Sequence, residues 1–153
     1  MFEILYLAES PLVALYEVQA MLGSPLHGVT QPNPYLAWAV LNVDVVLYEL
    51  ADLTDVANQT LIETSAQELT GDWRSYAIRG RTTTVSGPIG ASPTQELGKA
   101  LYNVPSEKAF EGFRTLSAKV PTCMILGVFP KRLGSRSRIL IRDHLGNVIQ
   151  TIP

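Results

Sequence analysis

The segment "LYLAESPLVALYEVQA", Leu5 to Ala20, constrains this chain more than any other stretch. Its first residues have strand composition, Ser10 supplies an N-cap oxygen, and Pro11 is a favoured first helical residue. The apolar run that follows predicts a helix from about Pro11 to Leu22, ending before Gly23. Within it stands one carboxylate, Glu17. Side chains three and four positions away share its helix face, and these are Val13, Ala14, Ala20 and Met21, all apolar. Removing an unpaired carboxylate from water costs several kcal/mol, a large share of the roughly 5 to 15 kcal/mol by which a domain is stable. The fold must therefore turn a strand directly into a packed helix, and it must compensate the acid.

Charge is divided unevenly along the chain. From Met1 to Asp72 there is no Lys or Arg and there are ten of the 14 acids, whereas all 12 bases come later with Glu96, Glu107, Glu111 and Asp143. The two parts carry -10 and +8. Such a division marks either a polyanion-binding half or complementary parts that fold against each other. The cluster "KRLGSRSR", Lys131 to Arg138, has no interleaved aromatic to stack on single-stranded nucleic acid, which favours the second reading.

With 153 residues, 46% of them apolar, a single α+β domain spanning residues 1–153 is expected, large enough to bury a sizeable core. No basic region precedes the first apolar stretch, as a secretory leader would require. The most apolar later segment, "YLAWAVLNVDVVLYEL", is broken by Asn42 and Asp44 and is shorter than the roughly 20 residues of a bilayer span. The single Cys123 forms no internal disulfide and reads as an inert buried thiol. A cytoplasmic protein is expected.

Coarse elements follow from composition. "SPLHGVTQPNP" reads as a loop, and "YLAWAVLN" and "VVLYELA" as two strands or one bent strand. A short helix begins near Asp55 with Thr54 as its cap. Residues 71–93 show no period. "TQELGKALYN" is helical, Ser106 caps a further helix "EKAFEGF", and "FRTLSA" and "TCMILGVF" are strands. "RILIRDHLGNVIQTI" ends the chain as a hairpin.

Few residues remain for chemistry. Neither a Gly-rich phosphate loop nor a Cys-x-x-Cys spacing occurs, and with only His27, His144 and Cys123 no transition-metal site is expected. Tyr6 on the first strand and Glu17 on the helix it feeds can line one pocket; taken alone, Tyr6 reads as core packing. A carboxylate among apolar neighbours is a functional candidate.

The block "ILYLAESPLVALYEV" resembles the signature strand and helix of the RES domain, a toxin fold named for its Arg, Glu and Ser. "LYELAD", "LTGDWR", "PTQELGKALY", "GFRTLSA" and "ILGVFPKRL" extend the resemblance, in order, over nearly the whole chain. It implies a fold related to ADP-ribosyltransferases and the toxin of a bacterial toxin-antitoxin pair. Such proteins consume NAD by phosphorolysis or hydrolysis, or transfer its ADP-ribose. Their partner is a small antitoxin with an Xre-like helical region that blocks the active site. By the same resemblance Glu17 is the acidic catalytic residue, Ser117 the family serine in the NAD pocket, and Tyr6 a contact of the nicotinamide or its ribose. The family arginine belongs to a segment upstream of "LYLA" and has no match in this chain; Arg79 and Arg81 are the charge-based candidates to bind the pyrophosphate instead. Two other readings follow: a catalytically inactive RES-like domain that binds only an antitoxin or NAD, and a nucleic-acid-binding module using Lys131 to Arg142.

Overall fold

Ser10 does start a helix, but a short one. In the computed structural model, which describes residues 2–25, 27–71, 91–105 and 109–153, strand β1 (Leu5–Ala8) leads into helix α1 (Pro11–Glu17). Ser10 is extended, its Oγ accepts the Val13 N–H at 3.3 Å, and Pro11 sits in the first turn. The helix stops at Glu17 rather than Leu22 because Gln19 turns left-handed at φ 59 and the chain enters a hairpin of β2 (Met21–Ser24) and β3 (Val29–Pro32). Asn33 holds this break, its side-chain amide donating to Gln19 O at 2.9 Å and its backbone N–H to Ala20 O at 2.8 Å. Part of the expected loop "SPLHGVTQPNP" is therefore strand. Gly28, at φ 71, occupies the turn.

Four strands form the sheet that carries the site. Its order is β1-β7-β6-β5, with β5 (Leu50–Asp52), β6 (Gly112–Leu116) and β7 (Met124–Val128). β1 and β6 each run antiparallel to β7, and β5 runs parallel to β6. A second sheet, antiparallel, is ordered β4-β8-β9 from β4 (Asn42–Val46), β8 (Arg138–Arg142) and β9 (Val148–Ile152). The expected terminal hairpin is its β8-β9 pair, turning at Gly146 with φ 85. The stretch Tyr35 to Leu41, expected as strand, joins no sheet; Tyr35 is 91% exposed.

Short polar caps set the helices. Asp55, not Thr54, caps α2 (Val56–Leu61), since Thr54 instead donates its hydroxyl and N–H to Asp52. Ser65 caps α3 (Ala66–Leu69), an element not expected. Ser92 and Gln95 form a reciprocal capping box at the start of α4 (Pro93–Tyr102). The expected helix "EKAFEGF" does not form over its described residues, because Gly112 and Phe113 belong to β6 and Glu111 is drawn in at the end of that interior strand. Its N–H donates to Glu49 O and its C=O accepts from Phe129 N, both at 2.8 Å.

Apolar side chains gather in two groups. Ala51, Leu53, Leu101, Phe113 and Phe129 make one, with Leu97 and Tyr102 of α4 packed against it. Val13 and Tyr16 of α1 make the other with Val120 and Ile125. The sheet thus holds α4 and α1 over neighbouring parts of its surface, and a gap remains between the groups. Among the described residues no helix is long and apolar enough to cross a membrane.

Candidate active site

Strand register builds the floor of that gap. Tyr6, Gly127, Phe113 and Ala51 lie in one row across the sheet, and Ala8, Ile125 and Thr115 in the next. Members of a row share a face. Gly127 has no side chain, and a Cβ there would run into the Phe113 ring. Tyr6 and Phe113 therefore meet edge-on across it, with centroids 6.3 Å apart. Above them is a cavity of about 230 Å³, lined also by Leu53, by Leu97 and Leu101 of α4, and by Glu17.

Glu17 is the last residue of α1 and is half-buried. The acid that the helical pattern placed in mid-helix, with Ala20 and Met21 on its face, stands instead where the helix ends. Carbonyl oxygens crowd this end, which disfavours a carboxylate by about 0.3–1 kcal/mol. Compensation comes from a distant part of the chain. Ser117 Oγ donates to Glu17 Oε1 at 2.5 Å, and the Lys119 N–H reaches the same oxygen at 3.4 Å. Oε2 takes no hydrogen bond among the described residues.

Ser117 is completely buried. Its hydroxyl, besides donating to Glu17, accepts the N–H groups of Lys119 at 3.2 Å and Val120 at 2.9 Å, while its own N–H donates to Cys123 O at 2.9 Å. These bonds lock the turn between β6 and β7 and aim one oxygen of Glu17. Ser117, expected as a catalytic-site serine that hydrogen-bonds in the NAD pocket, commits its hydroxyl to Glu17 and to the Lys119 and Val120 amides.

Tyr6 is not a core residue: 62% of its surface is open. That exposure outweighs the partial burial that pushes its hydroxyl upward from the ordinary pKa, and under either influence the phenol is protonated at neutral pH. Thr115, which sequence reasoning did not single out, lines the cavity with an Oγ1 shut off from solvent and without a hydrogen-bond partner among the described residues. The alternation along "FRT", which puts Phe113 and Thr115 on one face, is the signal that finds it.

Other candidates lie elsewhere. Arg79 and Arg81 fall outside the described residues. His27 and His144 are exposed in hairpin turns, and Cys123 is half-buried, its thiol pushed up first by the neighbouring Glu9 carboxylate and then by burial. Among the described residues no three His, Cys, Asp or Glu side chains gather as a metal-ligand set. Most of the C-terminal cations make contacts within the chain at its surface: Lys131 pairs with Glu3 at 3.5 Å, Arg142 with Asp44 at 2.7 Å, and Arg132 and Arg136 lie over the rings of Tyr102 and Tyr48.

No curated protein and no solved structure matches the chain. One family model does, described as the RES domain, over residues 1–145 of 153. With the quoted blocks in order and an α+β fold, the chain belongs to the RES-domain family.

Proposed function

We propose that this protein is the toxin of a toxin-antitoxin pair and cleaves the bond between nicotinamide and ribose in NAD. The observation that carries the reading is the Ser117–Glu17 hydrogen bond: it fixes one carboxylate oxygen of a residue that lines a mostly apolar cavity, and the other oxygen takes no hydrogen bond among the described residues. In the cleavage, the bond from C1′ to the pyridinium nitrogen breaks and its electron pair stays on nitrogen. Neutral nicotinamide leaves, and positive charge develops over C1′ and the ring oxygen of ribose. Glu17 stabilises that charge and orients a ribose hydroxyl through Oε2. Ser117 positions Glu17. The open ring of Tyr6 provides a surface for nicotinamide or ribose, and Arg79 or Arg81 binds the pyrophosphate. Phosphate, water or a protein side chain then accepts the ADP-ribose. An Xre-like antitoxin blocks the cavity in the paired state. Four cations of the C-terminal segment, Lys131, Arg132, Arg136 and Arg142, already have partners within the chain, which supports this reading over nucleic-acid binding.

Incubation of the purified protein with NAD, with and without phosphate and a chelator, tests it. Nicotinamide should appear at a rate the chelator leaves unchanged, since the proposed chemistry uses only organic groups. NAD binding with no turnover would instead identify an inactive domain, and steep salt-dependent DNA or RNA binding without NAD binding would establish the nucleic-acid reading.

A further inference from the structure

Among the described residues four polar side chains line the cavity: Tyr6, Glu17, Thr94 and Thr115. Thr94 Oγ1 lies 3.2 Å from Ser92 Oγ and so has a partner. Thr115 Oγ1 has none among the described residues, although it is closed to solvent. Its described neighbours are apolar: Ile125 lies opposite it in register, and Phe113, Leu116 and Ala118 line the cavity on the same strand and turn. A buried hydroxyl left unpaired destabilises the free protein. Valine has the same shape without that penalty.

We propose that Thr115 is a substrate-binding residue whose hydroxyl pairs with the carboxamide of nicotinamide, an assignment that rests on the NAD reading above. A hydroxyl both donates and accepts, as a neutral carboxamide does. The rings of Tyr6 and Phe113 stand in the adjoining row and suit a flat pyridine. No Lys or Arg is among the described lining residues, so the described wall offers phosphate no cation. Glu17 Oε2 serves the ribose side of the scissile bond, and Thr115 holds the leaving group.

The test uses Thr115→Val and Thr115→Ser in the full chain, with nicotinamide, ADP-ribose and NAD as separate probes. Thr115→Val should weaken nicotinamide binding about tenfold or more while ADP-ribose binding stays within about twofold. Its melting temperature should equal or exceed the parent's. Thr115→Ser, which keeps the hydroxyl, should keep nicotinamide binding. Unchanged nicotinamide affinity in Thr115→Val, an equal loss for ADP-ribose, or a lower melting temperature would each overturn the assignment while leaving NAD cleavage by the parent untouched. A parent protein that binds neither nicotinamide nor ADP-ribose would overturn the NAD reading and the Thr115 assignment together.

Discussion

Glu111 and Glu17 are both held by a serine from a later part of the chain, yet they are built to opposite ends. Glu111 is 4% exposed and both of its oxygens are occupied: the Tyr48 and Glu49 N–H groups reach Oε2 at 2.7 and 3.3 Å, and the Gly134 N–H and Ser137 hydroxyl reach Oε1 at 2.6 and 2.5 Å. Burial alone would raise its carboxyl, but the donors from Ser137, Tyr48, Gly134 and Glu49 together hold it below the ordinary value. It ties the approach to β5, the start of β6 and the loop before β8 at one point. Glu17 lines a cavity with one oxygen held and, among the described residues, no hydrogen bond to the other. A carboxylate with every lone pair matched is a structural knot. One left half-matched beside a cavity is available to a ligand.

The largest effect should come from Glu111. In Glu111→Gln an amide N–H group must face donors that now meet an oxygen, so stability should fall by about 2–4 kcal/mol, read from urea midpoints. Retention of the parent midpoint would break the contrast at its structural end.

Next comes Glu17, where turnover and stability should part. Glu17→Gln keeps an acceptor for Ser117 and should change stability little while slowing nicotinamide release about a hundredfold. Glu17→Leu should be equally slow but also less stable by about 1–3 kcal/mol, because the completely buried Ser117 hydroxyl loses its acceptor. Full turnover in either variant would remove Glu17 from the chemistry.

Ser117→Ala should have a smaller effect, about tenfold on kcat with KM nearly unchanged, since Ser117 acts through Glu17 rather than on substrate. It also leaves the Lys119 and Val120 amides without their acceptor. A rise in KM with constant kcat would show that the hydroxyl touches substrate after all.

The smallest effect concerns a third acid, Asp52, which has a charged partner instead of a serine. The Arg114 hydrogen bond, working against burial and helped by Thr54, lowers its carboxyl from 3.8 to about 2. Because the folded value lies below the unfolded one, its stabilisation is complete above pH 4 and disappears as pH falls toward 2. Asp52→Asn should flatten acid unfolding slightly in that window, and added salt should shrink the difference, because the Arg114 side chain is 42% exposed. An identical acid curve for parent and variant would show the pair contributes nothing.

Legibility followed the range of the interactions. Ser10, Pro11 and the terminal hairpin were readable because cap and turn chemistry is local. The end of α1 was not: nothing between Val18 and Leu22 forbids helix, and the stop is imposed by hydrogen bonds from Asn33. The missing helix before β6 failed for the same reason, since Glu111 answers to Glu49 and Phe129 rather than to its neighbours in sequence. At the site, the cost of burying Glu17 signalled that a partner must exist, and family resemblance supplied Ser117, but no local pattern links positions 100 residues apart. Tyr6 was misjudged alone because its exposure depends on the place of β1 at the edge of its sheet, which no local pattern gives.

The place of β1 in its sheet has a consequence for synthesis. The only strand that β1 pairs with among those described is β7, which ends at Val128, so the helix bearing Glu17 has no sheet to rest on until most of the chain exists. At about 5–20 residues per second on the ribosome, the delay between Glu17 and its serine is roughly 5–20 seconds. During that interval the nascent chain holds the acid without the alignment its chemistry would need. If the proposed NAD cleavage holds, the protein would in this way be harmless while it is being made.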